Sequence, residues 1–261
     1  MAEASYILRA NSSGVLTLTL NRPESRNALS LGMLLAMSGE LQDAAADPTV
    51  RVVVLAGAGP GFCAGHDLKE MRAENFSRTY TERLFAECAT VMLGIVRLPK
   101  PVIAQVHGVA TAAGCQLVAS CDLAVAADTA RFATPGVNIG AFCSTPMVAL
   151  SRNVGNKAAM QMLLTGEMIN ADTALRFGLI NEVSPEAELA QRTAALAAKI
   201  ASKSPLTLAI GKEAFYRQAE LPLAEAYTYA SAVMVSNLAK RDAKEGIAAF
   251  IDKRPPQWCG M

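Results

Sequence analysis

The chain has two histidines and one tryptophan, and none of its six cysteines forms a CxxC pair. His66 and His107 alone are too few for the usual zinc ligand sets. Cys63, Cys88, Cys115, Cys121, Cys143 and Cys259 lack the spacing of a small disulfide scaffold, which points to free thiols in a reducing compartment. An excess of either charge is missing too. A net charge of +1 with Lys and Arg interspersed leaves no basic face, so nucleic acid is not an expected partner. No uninterrupted apolar run reaches the roughly 20 residues that cross a bilayer, and no membrane partner is expected. The opening residues MAEASYILRA show neither a charged segment leading into an apolar one nor an Arg-rich amphipathic pattern. They predict a cytoplasmic protein without a targeting peptide, or a mitochondrial matrix protein if a transit peptide has been removed.

What is abundant is apolar content, at 52%. In a chain without a membrane span this excess reads as core plus subunit interface, since it would otherwise expose large patches. Tyr6–Ala10 and Val15–Leu20 flank Asn11–Gly14 and read as a hairpin. Ser30 is placed to cap a helix with Leu31, Leu34, Leu35 and Leu41 at helical spacing, running to about Ala46. Val52–Ala56 reads as a short buried strand feeding the glycine loop GAGPGFCAGHDL. Another amphipathic helix covers about Arg78–Val96 and stops before Pro99 and Pro101. Val102–Val106 and Asp122–Ala127 are further strands. Strand and helix thus alternate, which predicts an α/β core with crossover connections and ligand sites at the carboxyl ends of strands. Beyond about Ala133 the strands nearly disappear. Helices are predicted to open at Thr145–Pro146, at Asn156 as a cap with an end near Gly166, at Asn170 with an end at Gly178, at Ser204–Pro205 and at Leu221–Pro222.

The stretch Val106–Asp122, VHGVATAAGCQLVASCD, places Gly108, Ala112, Ala113 and Gly114 directly after a buried strand. Residues this small let a backbone approach a ligand closely. A turn there, followed by Cys115–Ser120 as the first turns of a helix, would aim free backbone N–H groups at charge developing on an oxygen or a phosphate. Taken alone, the glycine loop at 59–68 also fits a plain tight turn. Two strand ends of this kind can nevertheless direct two N–H groups at one oxygen, the geometry of an oxyanion hole.

Five segments together carry a resemblance over essentially the whole length: RPESRNALS at 22–30, GPGFCAGHDLKE at 59–70, PVIAQVHGVATAAGCQLVASCDLAVA at 101–126, FATPGVNIG at 132–140 and GIAAFIDKRPPQW at 246–258. The chain resembles the crotonase, or enoyl-CoA hydratase/isomerase, family, and residues 109–126 with 142–146 especially resemble one subgroup within it. The resemblance implies an α/β fold built as a spiral of ββα turns with a C-terminal helical trimerisation region. It divides the chain into a core with an acyl-CoA site over residues 1–200 and a helical oligomerisation region over 201–261. It implies a homotrimer or a hexamer made as a dimer of trimers, and lyase or isomerase chemistry of fatty acid metabolism. No prosthetic group is implied; coenzyme A enters only as part of the acyl-CoA substrate.

Carried across position by position, the resemblance puts two oxyanion donors on the backbone N–H groups of His66 and Ala113, facing a thioester carbonyl. It puts adenine and pantetheine contacts on Arg26, Asn27, Ala28, Leu29, Ala64, His66, Asp67 and Leu68. Phe250 and Lys253 match positions that reach the nucleotide of a neighbouring subunit, with Lys253 on a phosphate.

The departures bear most on function. The three positions where relatives carry catalytic carboxylates hold Gln116, Gly136 and Ser144. An amide does not titrate near neutral pH, so adding water to an alkene lacks its base. His66 is the nearby group with an ordinary pKa near neutrality, and here it is read as contributing its N–H, with the ring turned away. His107 reads as structural, Asp67 as a helix cap, and Cys63 and Cys115 as small packing residues. Cys143 and Ser144 have no identifiable activating base. Three functions follow: an enolate-stabilising acyl-CoA enzyme of the hydratase/isomerase type, a non-catalytic acyl-CoA binding protein, and a decarboxylase of a malonyl-type thioester, in which loss of CO₂ generates the enolate.

Overall fold

The computed structural model describes residues 5–261; the expectation of no targeting peptide falls in part on residues 1–4, outside the described residues. The hairpin forms as β1 (Ile7–Ser12) and β2 (Val15–Leu20). Ser30 opens α1 (Leu31–Ala46), its side chain accepting from Met33 N. There follow β3 (Val52–Gly57), α2 (Leu68–Ala73), α3 (Arg78–Arg97), β4 (Val102–Val106), β5 (Val109–Thr111), α4 (Ala113–Ser120) and β6 (Leu123–Ala127). The second half carries β7 (Arg131–Ala133), α5 (Ser144–Leu150), α6 (Asn156–Thr165), β8 (Ile169–Asn170), α7 (Ala171–Phe177) and β9 (Glu182–Ser184). Four longer helices end the chain: α8 (Leu189–Ala201), α9 (Pro205–Gln218), α10 (Leu223–Leu238) and α11 (Arg241–Ile251).

The first sheet runs β1-β2-β3-β4-β6-β9, with β1 antiparallel to β2 and every later neighbour parallel. Its central strand β3 is buried on both faces, which explains its run of Val and Leu without polar alternation. Val53 and Leu55 join the main core with α1, α3 and α4, while Val52, Val54 and Ile103 pack with Leu189, Ala197 and Ala201 of α8 on the other side. A second small sheet, β5-β7-β8, sits beyond the carboxyl end of β4.

Three expectations need correction. The small-residue stretch is not one turn: residues 109–111 form β5 through the register Thr111↔Ala133, and the helix begins at Ala113 rather than Cys115. Gly155, extended at φ −60° and ψ 147°, is the N-cap of α6, and Asn156 is already helical. Helices α8 and α11 went unmarked because neither begins with a side-chain cap.

The helical region is pinned to the core by buried polar groups. Lys212 Nζ on α9 donates to Asp122 Oδ2 at 2.7 Å and to the carbonyls of Ile95 and Lys100. Tyr216 Oη donates to the other Asp122 oxygen at 2.9 Å. Burial lowers the Lys212 pKa while the Asp122 charge opposes that shift. On α11, buried Asp242 accepts from Ser204 Oγ, Cys259 N and Gly260 N, and these donors hold its pKa at about 2 against the effect of burial.

Candidate functional site

After β3 the segment 61–67 runs between two hydrogen-bonding neighbours, kinked at Gly65 with φ +92°. On one side Cys63 N donates to Val109 O and Thr111 N to Cys63 O, tying it to β5. On the other, Ala64 N donates to Arg26 O, Leu29 N to Gly65 O and Asp67 N to Leu29 O. In the parallel bridge between Leu29 and His66 the bonds are made by Gly65 O and Asp67 N, and the N–H of the bridged residue points to the opposite side. With Asp67 N turned to Leu29, the N–H of His66 faces the β5–α4 side.

That side is packed closely. A Cβ built on Gly114 would stand 2.1 Å from Cys63 O, so only glycine lets α4 seat against this segment. The corresponding position on Gly65 lies 2.9 Å from Ala112 Cβ and 3.3 Å from Ala113 N, which puts the backbone before His66 against the start of α4. Ala112 enters the helix at φ 49° and ψ −117°, a conformation alanine rarely adopts, and such strain persists only where the surroundings over-determine it. Its N–H donates to Ala133 O. Neither the N–H of His66 nor that of Ala113 has a protein acceptor among the described residues. Two free donors on abutting segments can share one acceptor oxygen.

The His66 ring packs edge-on against Phe85 of α3 with centroids 4.8 Å apart. Burial brings its pKa down to about 4, so the imidazole is neutral at physiological pH. His107 is tied down, with Nε2 2.8 Å from Gly59 O. Asp67 caps α2 by accepting from Lys69 N and Glu70 N and pairs with Arg22 at 3.0 Å. Burial would raise its pKa, but these donors and Arg22 hold the carboxyl below its usual value.

Arg26, Ala64 and Leu68 reach the surface beside this segment, whereas the rest of the strip turns inward. Asn27 is wholly buried: its Oδ1 accepts from Arg22 N and its Nδ2 donates to the carbonyls of Ala58, Gly61 and Phe62. It is the clamp on the glycine loop, a role not expected from sequence; three hydrogen bonds to a distant turn leave no mark in sequence except the asparagine itself. Ala28 and Leu29 are buried, and Leu29 uses both backbone groups on the 65–67 segment. Phe250, 85% exposed, and Lys253 stand at the end of α11, which packs on α9 and α10.

Of the three carboxylate positions, Gln116 lies one turn into α4, 6% exposed, with an Oε1 that has no partner. Gly136 is sealed off: a Cβ there would lie 2.4 Å from Ala141 O and 2.9 Å from Cys143 Sγ, and its N–H donates to that sulfur. Ser144 is exposed at the start of α5. Burial raises the thiol pKa of Cys143, and of Cys115 to about 12, so both are protonated at neutral pH.

The fold and its strand-end loops define a mixed α/β protein of the crotonase class. A solved enoyl-CoA hydratase of Mycobacterium smegmatis superposes with a TM-score of 0.95 at 54% identity, covering 98% of this chain and 99% of that one. The sequence model of the enoyl-CoA hydratase/isomerase family matches residues 10–261, and the chain belongs to that family. The subgroup resembled by residues 109–126 is that of enoyl-CoA hydratase domain-containing protein 3. The crystal structure of the human protein of that name has a TM-score of 0.94 at 48% identity, over 97% of this chain and all of that one. The Xenopus laevis protein, whose name adds "mitochondrial", is 50% identical over 94% of this chain and 83% of its own length. No helix among the described residues is long and apolar enough to cross a membrane.

Proposed function

We propose that this protein acts on acyl-CoA thioesters, holding the thioester carbonyl on the N–H groups of His66 and Ala113 and stabilising the enolate formed from it. The observation that supports this most directly is the pair of free N–H groups on segments locked together through Gly65 and Gly114. Donors fixed before reaction stabilise a developing oxyanion without reorganisation, and one such donor contributes roughly 3 kcal/mol to barrier lowering. Coenzyme A is part of the substrate, lying along Arg26, Ala64 and Leu68, and a neighbouring subunit of a trimer or hexamer supplies Phe250 and Lys253 to its nucleotide. The α/β part through residue 200 holds the site and the helices from 201 onward carry the assembly.

Hydration of an enoyl thioester fits this site poorly. Gln116 can orient water but not take its proton, Gly136 has no room for a side chain, and the thiols nearby stay protonated. A second use of the same donors is favoured by this lack of a base: decarboxylation of a malonyl-type thioester makes the enolate by losing CO₂. Incubation with methylmalonyl-CoA and with crotonyl-CoA, followed by mass spectrometry, separates the reactions. Loss of CO₂ with crotonyl-CoA untouched is expected; rapid hydration of crotonyl-CoA without loss of CO₂ would refute the decarboxylation and leave the enolate donors in place. Binding with neither reaction would leave a non-catalytic acyl-CoA binding protein.

A further inference from the structure

Helices α6 and α7 each end on a glycine in the left-handed region, Gly166 at φ 63° and Gly178 at φ 83°. At the end of α11 that place is taken by Lys253, at φ 55°. Arg254 N donates to Ala249 O at 3.0 Å and Lys253 N to Phe250 O at 3.3 Å, the paired bonds of a Schellman end whose left-handed position usually holds glycine. A residue with a Cβ is strained there and stays only where its neighbours over-determine the backbone. Here the neighbours form a fork. Arg254 Nη1 donates to Glu245 Oε1 at 2.7 Å and Nη2 to Glu245 Oε2 at 3.0 Å, and Gln257 N donates to the same Oε1 at 2.9 Å. Glu245 lies about two turns back along α11, so the chain leaving Lys253 is tied down on the helix it has just left. The Arg254 fork, helped by the Gln257 N–H, holds the Glu245 carboxyl at about 2, which keeps the pair ionised through the neutral range. Isolated pairs at a surface usually contribute little, but two parallel bonds to a planar guanidinium fix direction as well as distance. Lys253 itself is exposed and forms no ion pair among the described residues.

Resting on the reading that Lys253 reaches the coenzyme A nucleotide of a neighbouring subunit, we infer that Glu245 and Arg254 are positioning residues: they hold Lys253 in its left-handed conformation, so that its ammonium stands ready for a phosphate of that nucleotide. Glycine would close α11 with less strain but carries no charge. The lysine keeps a cation at the turn, and the fork offsets the strain. A lysine whose backbone is fixed beforehand loses less freedom on binding. The pair thereby sets how strongly the protein prefers a thioester carrying the nucleotide over the pantetheine thioester alone.

Calorimetry with acetyl-CoA and S-acetylpantetheine tests this, in variants that keep a cooperative melt and the assembly mass of the unaltered protein. Glu245→Gln and, separately, Arg254→Lys should weaken acetyl-CoA binding about tenfold and leave S-acetylpantetheine binding unchanged. Arg254→Lys keeps the charge and loses the fork, so full acetyl-CoA affinity in both variants would overturn the inference. Equal weakening toward both thioesters would overturn it too, by showing a role in the fold alone. Lys253→Gly should lower the preference for acetyl-CoA at least as far as the fork variants and raise the melting temperature by relief of strain. A preference left intact in Lys253→Gly would remove Lys253 from the nucleotide, and the inference with it, while the carbonyl donors stand. Binding of neither thioester by the unaltered protein would instead remove the acyl-thioester reading itself.

Discussion

The loop cluster around Ala113 and the helical region after residue 201 are incomplete in opposite senses. Around Ala113 the apolar packing is finished and polar atoms lack partners; Gln116 Oε1, Thr134 Oγ1 and two backbone N–H groups are unmatched. In α10 and α11 the polar anchors are satisfied, while Leu223, Tyr227, Val235, Phe250 and Ile251 are largely exposed. Unmatched donors and acceptors suit a small polar ligand, and uncovered large apolar side chains suit another protein surface. One chain thus carries two unfinished interfaces, with the Lys212–Asp122–Tyr216 cluster between them.

The largest expected effect breaks the loop cluster. Gly114→Ala drives a methyl into Cys63 O at 2.1 Å, and should cost about 5 kcal/mol or abolish cooperative unfolding in a thermal melt. Next comes the hinge between the regions: Asp122→Ala leaves Lys212 buried without its counter-charge and should lower stability by about 3–5 kcal/mol in urea unfolding.

A third test sharpens the contrast through pH. His66 has a folded pKa of about 4 against an ordinary 6.5, so the unfolded chain binds the proton more readily. Its contribution is fully present above pH 6.5 and is lost as pH falls toward 4, amounting to about 3 kcal/mol. Stability curves at pH 7 and pH 4.5 should therefore differ less for His66→Leu than for the unaltered protein. The smallest effect on the single chain is on the helical side. Val235→Glu should change the chain's own stability by under about 0.5 kcal/mol, yet lower the mass seen by analytical ultracentrifugation to that of a monomer.

What was legible in sequence follows from local chemistry. The buried strands at 52–57 and 102–106 announce themselves by β-branched residues and that at 123–127 by an unbroken apolar run, and Ser30, Asn170 and Gly178 mark helix ends by capping and left-handed conformation. The site was legible only in outline. That α4 starts at Ala113 depends on a strained alanine, which no propensity would place there. The closure of Gly136 depends on Ala141 O and Cys143 Sγ folding back over it. Asn27 was expected at a ligand surface and proved to be an interior clamp. Thr81 and Thr134 went unnoticed because a missing hydrogen bond is a property of packing, not of residue type.

The central claim is that His66 and Ala113 share one thioester oxygen. A crystal structure of the protein with a bound acyl-CoA tests it most directly: the carbonyl oxygen should lie within about 3 Å of both backbone nitrogens. A thioester seated elsewhere, or an oxygen that engages neither N–H, would contradict it.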